Sequence, residues 1–222
     1  MPRPARAHRD PWFLAAQRAR LSAPPVGALN QVVDELERST GHAVPRFDPS
    51  SGGVDATALL LLESPGPAST RGRGSGIISV YNDDLTAAHV HELLAGHRIA
   101  VDSVLLWNVV PWWLPAEANT GSFRAPRSRD LRAAAPWLER VLDPLPELRA
   151  IVTLGRKADR GLATYEATRP LPYTVISGPH PGGQAWNRPH LRHATEETFA
   201  TLAALLHAPT ASNRPERYSL WP

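Results

Sequence analysis

Three side chains able to act together on one heterocycle stand at the ends of three apolar runs. Glu63 follows Ala58 to Leu62, Asn108 closes the run from Ser103 through Leu106, and His180 follows Tyr173 to Ile176. Each run is strand-sized and is followed at once by turn residues: Glu63-Ser64-Pro65-Gly66-Pro67, Trp107-Asn108-Val109-Val110-Pro111 and His180-Pro181-Gly182-Gly183. In an open α/β sheet, ligands bind at the carboxyl ends of the strands. A carboxylate, a carboxamide and an imidazole are therefore expected to meet around one pocket, a set suited to chemistry on a nucleobase.

Each residue has its own chemical reason. A carboxamide offers one acceptor and two donors in a plane, which matches O4 and N3–H of uracil, whereas cytosine presents a donor at the corresponding exocyclic position. Asn108 lies in the run Val104 to Val110, where such a group needs partners; neighbouring backbone is the other place it could find them. Pro65 and Gly66 force a tight turn and strip away side-chain bulk, so backbone amides can approach a bound ring. Glu63 just before that turn reads either as a catalytic carboxylate or as a cap of the turn. His180, between two prolines and ahead of two glycines, is held stiffly, as a donor aimed at developing negative charge must be. Taken alone, it reads equally as a surface-loop histidine, one of nine in the chain. No metal site is expected. His89 and His91 diverge on a helix at i, i+2, and no carboxylate pattern completes a site around His190 and His193.

The elements that position these groups follow from periodicity and punctuation. A short helix is expected around Trp12 to Leu21, and apolar spacing at Leu29, Val32, Val33 and Leu36 predicts a helix from Gly27 to Thr40, ended by Gly41 or His42. Pro45 to Gly53 reads as a loop into the first strand. Pro65 to Gly76 is a loop carrying Arg71 and Arg73, and Ile77 to Val80 a short extended piece. Asp83 or Asp84 is expected to cap a helix from near Thr86 to about Gly96. A strand over Asp102 to Val110, a loop over Pro111 to Ser128 and a helix from Asp130 to Leu142 containing Pro136 come next. Leu148 to Leu154 predicts a strand, with Gly155-Arg156-Lys157-Ala158 opening a helix. Thr174 to Ser177 predicts the last strand and Thr195 to His207 the last helix. The tail beyond Pro209 reads as disordered or draped over the surface, with Trp221 able to dock. Strands alternating with helices predict a three-layer α/β/α sandwich around a mainly parallel sheet.

Composition narrows the class. The chain has 222 residues, 42% of them hydrophobic and 20% charged, which describes one well-cored globular domain. No apolar stretch approaches the length of a membrane helix, and the basic segment Met1 to Asp10 lacks the apolar core of a secretory signal, so a cytoplasmic location is expected. With no cysteine in the chain, a disulfide framework, a zinc–thiolate site and a cysteine-held iron–sulfur cluster are ruled out. The net charge is +3, and Lys157 is the only lysine. Arginine's planar fork suits phosphate, which permits a nucleic-acid partner without requiring one, because a GC-rich genome also favours arginine.

Together the three segments resemble the uracil-DNA glycosylase superfamily. Leu62-Glu63-Ser64-Pro65-Gly66 is similar to its first motif, especially the form in the thermophile-type, iron–sulfur branch, although the cysteines of that branch are missing. Asn108 resembles the pyrimidine-reading asparagine, and His180-Pro181-Gly182-Gly183 resembles the His-Pro-Ser-Pro motif, with glycines for the serine and second proline. Val152 to Ala158 resembles a recurring strand–helix junction. The likeness spans about residues 45 to 206. It implies a glycosylase domain over residues 45–208, preceded by an N-terminal arm and helix (1–44) and followed by a tail (209–222). It also implies a monomer needing no cofactor, a uracil-containing DNA partner, and hydrolysis of a flipped-out base's glycosidic bond.

In residue terms the resemblance implies that Glu63 and His180 are catalytic, and that Ser64, Pro65, Gly66, Ile77, Ile78 and Asn108 hold the base. An isoleucine stands where the superfamily usually stacks an aromatic ring. Arg71, Arg73, Pro181, Gly182, Gly183 and Gln184 are expected on DNA, Arg124, Arg127 and Arg129 are further phosphate candidates, and Gln184 or Trp186 would fill the space left by the flipped base. Lys157 is not expected to form a Schiff base. The alternatives are a damage- or abasic-DNA-binding relative with little hydrolytic activity, or a hydrolase of small nucleosides.

Overall fold

The structure is a computed structural model and describes residues 3–116, 123–209 and 215–222. The apolar runs form the parallel strands of one sheet. Strands β2 (Ala58–Leu62), β4 (Val104–Asn108), β5 (Ala150–Leu154) and β6 (Thr174–Gly178) are buried along their whole length. That burial on both faces is why they read as continuous apolar segments without alternation. A short pair, β1 (Arg46–Phe47) with β3 (Ile77–Ile78), lies in what the sequence presents as loop and extended piece.

The helices are α1 (Pro11–Arg18), α2 (Gly27–Thr40), α3 (Leu85–Gly96), α4 (Ser128–Leu142), α5 (Arg156–Glu166), the single turn α6 (Gly183–Trp186) and α7 (Pro189–His207). Their ends follow local chemistry. Asp84, not Asp83, caps α3 by accepting from the Ala87 amide at 2.9 Å, and Gly41 ends α2 in the left-handed conformation at φ 72°. Helix α7 starts at Pro189, earlier than its apolar periodicity predicts, because proline is well placed in a first helical turn. Helices α2, α4 and α5 pack together, as do α3, α6 and α7, with α5 and α7 seated on the sheet. The result is the expected three-layer α/β/α sandwich.

The strand order β4-β2-β5-β6, continued by β7 (Arg217–Ser219), is parallel throughout. From β2 the chain moves outward to β4, then returns across β2 to β5. The crevice at such a reversal, outside the carboxyl ends of the strands, is the place where a doubly wound sheet binds ligands. Leu62 is in register with Asn108, and Leu154 with Gly178, so Glu63, Asn108, Gly155 and the loop after β6 emerge at one edge.

Of the tail expected to be disordered or draped over the surface, residues 215–222 lie along the sheet edge, and residues 210–214 lie outside the described residues. Arg217–Ser219 forms β7 on the edge of the sheet, with the Val175 amide donating to the Glu216 carbonyl and the Leu220 amide to Ser177, both at 2.8 Å. Trp221 docks under the Arg156 guanidinium, 4.7 Å from its ring centre. Exposure on an edge leaves such a strand without the apolar signature that marked the others. The N-terminal segment is equally integral, since Leu29, Val33 and Leu36 of α2 are fully buried.

Candidate active site

A cleft of about 680 Å³ opens over the carboxyl edge of the sheet. Glu63, Ser64, Pro65 and Gly66 line one side. The turn is tightened by Ser69 and Thr70, whose hydroxyls both donate to the Gly66 carbonyl. Asn108 and Ile78 lie at the buried floor, 4% and 6% exposed. His180, Gly182, Gly183 and Gln184 also line the cleft.

Asn108 ends β4 with its side chain on the cleft, and among the described residues its carboxamide makes no hydrogen bond. The residue is 4% exposed, yet its carboxamide atoms are not among the fully enclosed polar atoms without a partner, so they open onto the cleft. The backbone alternative is therefore not taken, and the carboxamide faces the cleft.

The Gly182 amide donates to Nδ1 of His180 at 2.9 Å. An acceptor Nδ1 carries no proton, so the neutral ring bears its hydrogen on Nε2. Burial lowers the pKa of His180 from 6.5 to about 4, because a cation is poorly solvated there. The side chain is thus a fixed neutral donor. Two glycines make room for it. Gly155 adopts φ +111°, and a Cβ there would stand 3.2 Å from His180 Cβ; a Cβ on Gly182 would lie 2.7 Å from Nδ1.

The His180 loop is held from α3. His89 donates Nδ1–H to the Pro181 carbonyl at 2.7 Å, and its ring stacks on Trp186 with centroids 4.1 Å apart and planes at 12°. This gives His89 a role that its i, i+2 spacing to His91 did not suggest. Of the two side chains expected to fill the space of the flipped base, Trp186 is the one stacked on His89, while Gln184 stays exposed at the rim.

Glu63 is half-buried, and among the described residues its carboxylate accepts no hydrogen bond. Burial raises its pKa and the Lys157 charge opposes the rise. The Lys157 ammonium donates to the Pro126 carbonyl at 3.2 Å and is not among the residues of the cleft wall.

Two residues expected at the site, Ile77 and Pro181, do not line the cleft, and the arginines expected on DNA each make contacts within the protein. Ile77 is fully buried and does not reach the cleft, because adjacent strand residues face opposite sides. Pro181 contributes its carbonyl to His89 and does not line the cleft. Arg71 pairs with Glu37 at 3.0 Å, and Arg124 grips Asp130 through two bonds of 2.6 and 3.0 Å, which holds the Asp130 carboxyl down at about 2. Arg129 lies 3.9 Å from the same carboxylate, and Arg127 donates its amide to it at 2.7 Å. Arg73 lies over the Trp113 ring at 5.0 Å. Ser79, Asn82, Asp84 and Phe123 also line the cleft; they sit in turns and loops where no periodicity marks them.

Comparison with known proteins gives this geometry a family. The uracil DNA glycosylase superfamily matches residues 52–204. The chain belongs to that superfamily. No curated protein sequence matches it. Among solved structures, the chain is similar to wild-type Pedobacter heparinus SMUG2, with a TM-score of 0.50 and 12% identity over 68% of this chain and 75% of that one. At that identity the likeness bears on the fold alone. For this superfamily member it places the α/β/α sandwich, with its sheet-edge cleft, among uracil-DNA glycosylase folds.

Proposed function

We propose that the protein is a monofunctional DNA glycosylase that accepts a flipped-out uracil in this cleft and hydrolyses its N-glycosidic bond. The observation that carries the reading is the Asn108 carboxamide, without a partner among the described residues, on a cleft that His180, a neutral ring with its hydrogen on Nε2, also lines.

In this reading the amide of Asn108 donates to uracil O4 and its carbonyl accepts from N3–H. The bond between C1′ and N1 breaks with its electron pair passing to the base, where charge gathers on O2. His180 Nε2–H stabilises that oxyanion without surrendering a proton, an arrangement a preorganised neutral donor serves well. Water adds its oxygen to C1′ and its proton ends on the released base. Glu63 in its carboxylate form steadies the sugar cation and accepts the water's proton on the way. Lys157 is tied to Pro126, so borohydride should trap no covalent adduct with abasic DNA.

The test is release of free base from single- and double-stranded oligonucleotides carrying uracil, hypoxanthine, xanthine or mismatched thymine, with Asn108→Ala and His180→Ala beside the wild type. Uracil release lost by about 10²–10³-fold in each variant is the expected result, the scale of removing one oxyanion donor. No uracil release from either kind of DNA sinks the proposal. The poorly anchored Glu63 favours a second reading, a damage-binding relative with little turnover; selective binding of uracil or abasic DNA without release would support it.

A further inference from the structure

We infer that Phe123, Trp113 and Arg73 form a nucleotide subsite at the cleft mouth, which stacks the base next to the flipped one and binds its phosphate on a single strand. The inference rests on the proposed DNA substrate and goes beyond it.

Among the described residues that line the cleft, Phe123 carries the one benzenoid ring, and it is 54% exposed. The floor residues Asn108 and Ile78 are almost fully buried, so the ring belongs to the mouth and not to the pocket that takes the target base. A single exposed ring is ordinary on a protein surface. This one is built in. Phe123 pairs with Pro115 in an antiparallel bridge, and the next amide, Arg124, donates to the Leu114 carbonyl at 3.0 Å. The two-pronged bond of Arg124 to Asp130 fixes the same stretch of chain. Trp113 supports the ring, with centroids 5.5 Å apart and planes at 57°.

The partner chemistry is set by charge as well as by the ring. Arg73 lies over the supporting ring, 5.0 Å from the Trp113 centroid, and among the described residues no carboxylate pairs with its guanidinium. An exposed ring and an exposed arginine without a carboxylate partner, both packed on Trp113, match one nucleotide: a base on the ring, a phosphate on the cation. Stacking of that kind needs an unstacked base, which a single strand supplies and an intact duplex withholds.

Binding of a labelled, uracil-free thymidine oligonucleotide, followed by anisotropy, tests this apart from catalysis. Phe123→Ala should weaken single-strand affinity by about 10–100-fold, the range of one lost stacking contact. It should change affinity for the same sequence as a duplex by less than about threefold. Phe123→Trp should keep the affinity and Phe123→Leu should lose it. Arg73→Gln should lower the slope of log affinity against log salt by about 0.7, one phosphate contact on a single strand. Wild-type affinity in Phe123→Ala or Phe123→Leu, or an unchanged salt slope in Arg73→Gln, would overturn the subsite. If uracil release fails while these losses appear, the glycosylase reading falls and the subsite stands. Release without these losses gives the reverse.

Discussion

His180 should remain neutral through pH 6, with its proton on Nε2, and this can be observed directly. Moving the imidazole from 6.5 to about 4 corresponds, at about 1.36 kcal/mol per decade, to about 3 kcal/mol of preference for the neutral ring. At pH 6 the cation then makes up about 1% of the population, against about three-quarters for an ordinary histidine. The linkage has a definite sign. Between pH 6.5 and about 4 the unfolded chain holds a proton on this ring that the native chain refuses, so stability falls as pH falls through that window and levels off below it. The assay is a ¹⁵N titration of the imidazole nitrogens, the signal assigned by its loss in His180→Gln, with urea unfolding at each pH. The wild type should lose up to about 3 kcal/mol more than the variant on going from neutral pH to pH 4. A protonated Nδ1, or a cation dominating at pH 6, refutes the reasoning that makes His180 a neutral donor.

Other expectations concern the groups around that donor. Activity should fall as pH drops through the raised pKa of Glu63, and Lys157→Met, which removes the charge opposing the rise, should move this acid limb of the kcat/KM profile to higher pH; an unmoved limb excludes Glu63 as the titrating group. Gly155→Ala forces φ +111° on a residue with a Cβ and presses it against His180. A stability loss of about 1–3 kcal/mol is expected, together with reduced uracil release; a fully active, equally stable variant would show that this glycine is dispensable. His89→Leu removes the bond to Pro181 and the ring stacked on Trp186. Its signature should be a displaced His180 ¹⁵N resonance and slower release at saturating substrate, whereas unchanged values of both would leave His89 with packing alone.

How far the sequence could be read depends on what kind of force fixes each residue. The four buried strands declared themselves because burial on both faces demands unbroken apolar runs, and the turn residues after them marked where the cleft had to open. Asn108 was legible for the same reason: a carboxamide at the end of such a run has few ways to be satisfied. The edge strand at Tyr218 was not, since exposed residues carry no burial signal. His89 was read against a metal and not as a brace, because its two partners, Pro181 and Trp186, are more than 90 residues away in sequence. Arg71 and Arg124 looked alike as loop arginines; only the fold shows that Glu37 and Asp130 claim them.

The same distinction separates the floor of the cleft from its mouth. Asn108 and His180 are set by the sheet and by loops packed on it. Phe123 is set by a short bridge to Pro115 and by the anchor at Arg124, so its position depends on local pairings that a few substitutions can redirect. On the proposed reading, the floor decides which base is accepted, and the mouth decides which form of the strand delivers it. If this is right, exchanging Phe123 alters the balance between single- and double-stranded substrates while leaving the order of preference among bases as Asn108 dictates. Measuring that order and that balance on the same variant separates the two functions: a changed base order in Phe123→Ala would mean that the mouth and the floor act as one pocket.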